Sequence, residues 1–176
     1  MYVALKFGLS PEVTEKFHLQ QVTLEGTYIG GELDAMIEVV PETIVSSGVA
    51  TGEVLAESAG LPATLRGEIV DAKCHLGVMN PGCFKPHRAW AIRCLAGGVP
   101  PLLVVRTTDG QLAHYLLVGE DGAPINEAVF DFVAEPVEVS GSLKTIGERK
   151  VIYVDPGKIT RLLGGCRTYP LRQESF

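Results

Sequence analysis

The strongest constraint on this fold is a strand–turn–strand–proline unit that occurs twice. Residues 22–44 read VTLEGTYIGGELDAMIEVVPETI, and residues 137–159 read VEVSGSLKTIGERKVIYVDPGKI. They align without a gap, with identity at Val22/Val137, Gly26/Gly141, Ile37/Ile152, Val39/Val154, Pro41/Pro156 and Ile44/Ile159. Apolar residues alternate along each strand, so each strand has one buried face. The mid-strand glycine marks a bulge or sharp coil, as a small barrel needs where its strands bend. A partial third copy, ATLRGEIV at 63–70, echoes VTLEGTYI. Twenty glycines and eleven prolines cut the chain into short pieces, which points to an all-β barrel or sandwich.

The order of elements narrows the choice. A strand at 63–71 is followed by an insertion over 72–99, then a strand at 102–106. Thr108-Asp109-Gly110 turns into a strand at 111–118, because Asp-Gly between alternating apolar runs is a hairpin signal. Glu120-Asp121-Gly122 turns again, and a helix is predicted over 124–132. Strands follow at 137–143 and 150–154, then a helical turn from Pro156 closed by Gly164-Gly165. Strand–strand–strand–helix–strand–strand is the order of an OB-fold. The predicted fold is therefore all-β with short helices: an OB-like five-stranded barrel with an added N-terminal hairpin and a helical Cys/His insertion. Residues 1–60 carry a short helix opened by Ser10-Pro11, the added hairpin over 20–44, and a linker over 46–61. Residues 61–165 form the barrel, and 166–176 form a C-terminal tail.

At 176 residues the chain can bury a full core without disulfides or metal. It is 46% apolar and only 20% charged, so part of its surface is expected to meet a protein partner or complex. Net charge is −6, and Lys and Arg are scattered, with only Lys85, Arg88 and Arg93 approaching a cluster. Binding to phosphate backbones normally requires a basic face. An OB-fold that holds single-stranded nucleic acid also stacks bases on aromatic side chains, and only 7% of residues here are aromatic. Nucleic acid binding is accordingly disfavoured. No apolar run is long enough to span a bilayer. Residues 1–9 are apolar but too short, and no signal-peptide cleavage pattern follows them. A cytoplasmic location is the default expectation. A periplasmic or membrane-attached location is the alternative where an N-terminal anchor precedes this chain.

Chemistry concentrates in residues 70–101, VDAKCHLGVMNPGCFKPHRAWAIRCLAGGVPP, which hold Cys74, His75, Cys83, His87 and Cys94. Pro86 opens a helix to about Leu95, stopped by Gly97-Gly98. On it His87 and Cys94 share a face but lie about 10 Å apart along the axis. That separation strains a shared ion, since metal–ligand bonds are only about 2.0–2.3 Å. Cys83, in the Pro81-Gly82 turn, swings toward His87 more readily. Four assignments stay open. The first is a metal ion or iron–sulfur centre held by Cys74, Cys83, His87 and Cys94, although the spacing contains no Cys-x2-Cys pair. The second is a Cys74–Cys94 disulfide pinning the insertion, which needs an oxidising compartment. In the third, the cysteines are simply small buried residues. In the fourth, His87 supports a reactive thiolate at Cys83 or Cys94. His75 and Trp90 are placed in the layer around any metal, with Trp90 and Phe84 covering the helix against the barrel. His114, between Leu112 and Leu116, is expected to be a packed or edge residue. His18 is expected to be solvated, and Cys166 a spare thiol. No phosphate-binding glycine motif, paired catalytic carboxylates or nucleophile elbow is present.

The run from Gly67 to Cys74, Leu76-Gly77, His87-Arg88, Arg93-Cys94, Gly97-Gly98-Val99-Pro100-Pro101 and the strand from Tyr115 to Gly119 resembles an uncharacterised group of bacterial proteins. These are small OB-like domains, often behind an N-terminal membrane segment. The resemblance covers about residues 60–160. It implies emphasis on Cys74, His87 and Cys94. Cys83 is peculiar to this chain, a tyrosine commonly stands in place of His75, and a further cysteine stands where Trp90 is here. The expected function is a non-catalytic metal-binding or redox accessory domain, such as a subunit of a larger electron-transfer assembly. The alternative is a structural protein-binding module with a disulfide-pinned insertion.

Overall fold

In the computed structural model, which describes residues 2–5, 11–30, 34–52 and 55–162, short strands dominate. In chain order the elements are β1 (Tyr2–Leu5), α1 (Pro11–Lys16), β2 (Gln20–Thr23), β3 (Gly26–Gly30), β4 (Ala35–Val39), β5 (Val45–Val49) and β6 (Leu61–Asp71). They continue with α2 (Arg88–Ala96), β7 (Pro101–Arg106), β8 (Leu112–Gly119), β9 (Pro136–Ile146), β10 (Arg149–Val154) and β11 (Ile159–Arg161). The sheet β10-β8-β7-β6-β9 closes on itself because β9 also pairs with β10. β8 and β10 run parallel, and the other neighbours in the ring are antiparallel. Ile69, Leu103, Val105, Val137, Val139, Ile152 and Val154 fill the interior. This is the OB-like five-stranded barrel, with the Cys/His insertion between its first two strands.

The ends of the predicted elements shift. The segment expected as a helix over 124–132 is a short 3-10 stretch, Glu127–Phe132, anchored by buried Val129. Six residues gain little from α-helical bonding, so packing rather than propensity shapes them. After Pro156 there is only a 3-10 turn, with Asp155 accepting the Gly157 N–H at 2.9 Å, and then β11, which pairs with β9. Ser10, Gly164-Gly165, Cys166 and the tail over 166–176 lie outside the described residues.

The added hairpin is more than a hairpin. Tyr28 pairs with Ile37, and Leu143 pairs with Ile152, which is the same register displaced by the repeat. Thr23 pairs with Val45 as Glu138 pairs with Thr160. β1 runs parallel to β4, with Tyr2 opposite Met36, as β8 runs parallel to β10, with Leu116 opposite Val151. The described residues of 2–49 thus repeat the plan of β8 to β11, including the 3-10 turn at Pro41–Thr43, and among them there are no counterparts to β6 and β7. A side chain at Gly26 would strike the Glu38 carbonyl oxygen, and one at Gly141 would strike that of Tyr153. Both glycines permit the same close strand approach. The segment expected as a linker over 46–61 contains most of β5. Its polar, small residues hide a strand that pairs with β2.

The cost of the missing strands is visible in burial. Val137 and Ile152 are fully covered, whereas their counterparts Val22 and Ile37 are only half-buried. The opposite side of the half-barrel is well covered. Ile29 and Met36 pack against Val70, Ala72, Val99 and Leu102 in a second core, beside the Cys/His insertion. Lys73–Glu38 at 3.1 Å, His114–Asp34 at 3.2 Å and Arg149–Asp34 at 3.5 Å tie the two halves together.

Candidate metal centre

The inner–outer alternation of β6 ends at its last residues, where Ile69, Val70 and Asp71 are all buried. A buried carboxylate must find partners, and Asp71 finds two. Its Oδ1 accepts the Cys74 backbone N–H at 2.8 Å, and its Oδ2 lies 2.7 Å from His87 Nε2. The first contact turns the chain out of the strand into a wide turn over Cys74–Val78. The return loop then packs back on this turn. A side chain at Gly82 would lie 2.5 Å from the Cys74 carbonyl oxygen and 2.8 Å from His75 Cα, so the approach needs glycine.

His87 closes a 3-10 turn, Lys85–His87, immediately before α2. Pro86 sits in its first turn, as its fixed φ favours. Two side chains, Arg88 of α2 itself and Asn126 from outside the insertion, hold α2 in place. Arg88 donates to the carbonyls of Val133 at 2.9 Å and Phe130 at 3.2 Å. Asn126 Nδ2 donates to the carbonyls of Leu95 at 2.8 Å and Val99 at 2.9 Å. Ala91 and Leu95 are buried beneath the helix.

The result is a convergence of Asp71, Cys74 and His87, all buried, whose ligand atoms lie within 4.8 Å of one another. Cys94 Sγ stands 3.7 Å from Cys74 Sγ. The two thiols are unbridged, and a disulfide would bring the sulfurs to about 2.05 Å. Cys74 therefore reaches both His87 and Cys94, which the helix separates. A carboxylate only accepts, so His87 Nε2 carries the proton that faces Asp71. His87 Nδ1 is left with no hydrogen-bond partner; among the described residues it is the one such buried side-chain nitrogen or oxygen.

The thiols are electrically unequal. The Cys94 sulfur contact raises the Cys74 pKa, and burial and the Asp71 charge act in the same direction. The same contact lowers that of Cys94, against burial and Asp71 and with help from Lys73. Cys, His and Asp together also make nucleophilic triads. Here Cys74 is only 4% exposed, and the direction of its shift favours the thiol over the nucleophilic thiolate.

Three expectations need correction. Cys83 is not in the convergent group; it is half-buried and packs against the second core, and Asp71 takes the place expected for it. Trp90 does not cover the helix against the barrel. It is 55% exposed, and Arg93 lies over its ring at 5.9 Å. Phe84 is likewise exposed. His75, next to Cys74 in the chain, also meets His114, with the two Nε2 atoms 3.2 Å apart. Lys85 and Arg88, part of the sparse basic cluster, are both paired with Glu135. Asp71 carried a sequence signal, an acid in an otherwise apolar strand end three residues before a cysteine. Asn126 and Asp34 carried none. Among the described residues no helix is long and apolar enough to cross a membrane. Comparison of the chain with protein-family models, curated proteins and solved structures finds no match.

Proposed function

We propose that this protein is a non-catalytic metal-binding module, in which Cys74, Cys94 and His87 hold a zinc-like divalent ion and Asp71 orients or completes the set. One observation carries this reading. Two thiolates on a tetrahedral zinc, at bonds of about 2.3 Å, stand about 3.8 Å apart, and the Cys74 and Cys94 sulfurs stand at 3.7 Å. The unpartnered His87 Nδ1 supports it, because an unsatisfied buried polar atom costs about 1–3 kcal/mol. Asp71 on His87 is the carboxylate–imidazole arrangement that fixes a metal-binding ring in one tautomer. Mixed sulfur, nitrogen and oxygen donors suit zinc or a comparable borderline ion. When bound, the ion would link the end of β6 to α2 and supply folding free energy to the insertion.

Exposed Leu19, Tyr28, Val45 and Val49 on the half-barrel support an accessory role within a larger assembly. The test is metal analysis of the full chain purified under reducing conditions, with cobalt substitution. Sulfur-to-cobalt absorption in the near ultraviolet, lost in Cys94→Ser, is the expected result. Two reduced thiols with no such absorption would overturn the reading. A Cys74–Cys94 disulfide, detected by counting thiols under denaturing conditions, would favour the structural module instead.

A further inference from the structure

A second set of donor atoms lies beside the first and is not used by it. His75 Nε2 and His114 Nε2 face each other at 3.2 Å, with their rings nearly perpendicular at 87°. The two residues come from different elements, His75 from the turn after β6 and His114 from β8. A third segment, immediately before β4, supplies Asp34, whose Oδ2 lies 3.2 Å from His114 Nδ1. The other oxygen of Asp34 faces Arg149 at 3.5 Å. The His114 side chain is only 6% exposed, while His75 keeps partial contact with solvent.

The protons of this cluster can be placed by chemistry. Asp34 accepts only, so the proton of a neutral His114 sits on Nδ1, and Nε2 presents a lone pair. That nitrogen lies 3.2 Å from another imidazole nitrogen. Two arrangements suit such a contact: one N–H···N bond, or one cation shared by both nitrogens. The observed 3.2 Å is at the long end of the hydrogen-bond range. It matches the separation of about 3.3 Å between two nitrogens held at about 2.0–2.1 Å on a tetrahedral ion. An imidazole whose second nitrogen is held by a carboxylate is also the usual state of a metal-ligating histidine.

We infer that His75 and His114 form a second, imidazole-only site for a borderline divalent cation such as zinc, nickel or copper(II), with Asp34 as its positioning residue. Water completes the coordination from the side on which His75 meets solvent. The site stands on its own geometry, independent of the thiolate centre. Adjacent residues, Cys74 and His75, serve the two sites. An ion here clamps the insertion to β8, and through Asp34 it also engages the N-terminal half-barrel.

The test uses the full chain, labelled with 15N at histidine and titrated with zinc after chelator treatment. Metal-coordination shifts at Nε2 of both His75 and His114, with the His114 Nδ1 proton retained, are expected. His75→Gln and His114→Gln each bind one zinc fewer than wild type, and Asp34→Asn weakens that zinc by about 10–100-fold. Because His114→Gln risks the packing of β8, the wild-type spectra decide. Unmoved His75 and His114 resonances at zinc saturation would reduce the pair to a hydrogen bond and overturn the inference. Cobalt absorption from sulfur reports the thiolate centre alone. Histidine shifts without that absorption uphold this site and reject the other, and the converse rejects this one.

Discussion

Replacing Asp71 with asparagine tests the chemistry on which the thiolate centre depends, and it does so without metal. Asparagine keeps an oxygen for the Cys74 N–H but turns an amide N–H toward His87 Nε2, 2.7 Å from the present oxygen. His87 must then move its proton to Nδ1, which has no partner. Losing a hydrogen bond to a charged group costs about 1.5–3 kcal/mol, and a stranded buried N–H adds about 1–3 kcal/mol. Relief from burying a carboxylate offsets part of this. The net expectation is about 2 kcal/mol, or a fall in Tm of about 4–8 °C for a chain of this size. Asp71→Ala also strands the Cys74 N–H and should cost about 3–5 kcal/mol. Urea unfolding of reduced, chelator-treated protein, followed by far-ultraviolet circular dichroism, measures both. An asparagine variant within about 0.5 kcal/mol of wild type, or an alanine variant no worse than asparagine, would refute the reasoning.

Chelation should lower the unfolding midpoint of metal-loaded wild type. With free ion at 100 times the Kd of the thiolate centre, that centre supplies about 2.7 kcal/mol, and Cys94→Ser should lose this share while keeping what the imidazole pair supplies, as differential scanning calorimetry reads. Gly82→Ala forces a side-chain carbon to 2.5 Å from the Cys74 carbonyl. It should destabilise by about 2 kcal/mol or more and weaken cobalt binding, which absorption titration reads. Glu68 gives a pH signature. Burial raises its pKa above 4.5, partly countered by the Phe84 N–H it accepts. The folded state therefore holds the proton more tightly, and stability falls as pH rises from 4.5 through the raised value. Glu68→Gln keeps an oxygen for Phe84 and should match or exceed wild type at pH 7. The gap should close on acidification, as urea midpoints across pH 4–7 would show.

Much of the barrel was legible along the chain because its determinants are local. Alternation names the buried face of β6 and β8, continuous apolar runs name β7 and the centre of β10, and Asp109-Gly110 names the turn between β7 and β8. The repeat predicts matched hairpins, and Tyr28–Ile37 and Leu143–Ile152 keep the same register. The strands of the half-barrel were harder to see. The short, polar residues of β5 gain their strand state from pairing with β2 rather than from their own pattern.

The cysteines and histidines announced themselves by residue type, since thiol and imidazole bear chemistry wherever they stand. What they touch is another matter. His75 meets His114 across 39 positions, and His114 meets Asp34 across 80. Asp71 rather than Cys83 stands beside His87, while Cys83 packs against the second core. Such meetings depend on barrel closure and on the docking of one half against the other. A short window of residues encodes strands and turns, whereas the company a side chain keeps belongs to the packed whole.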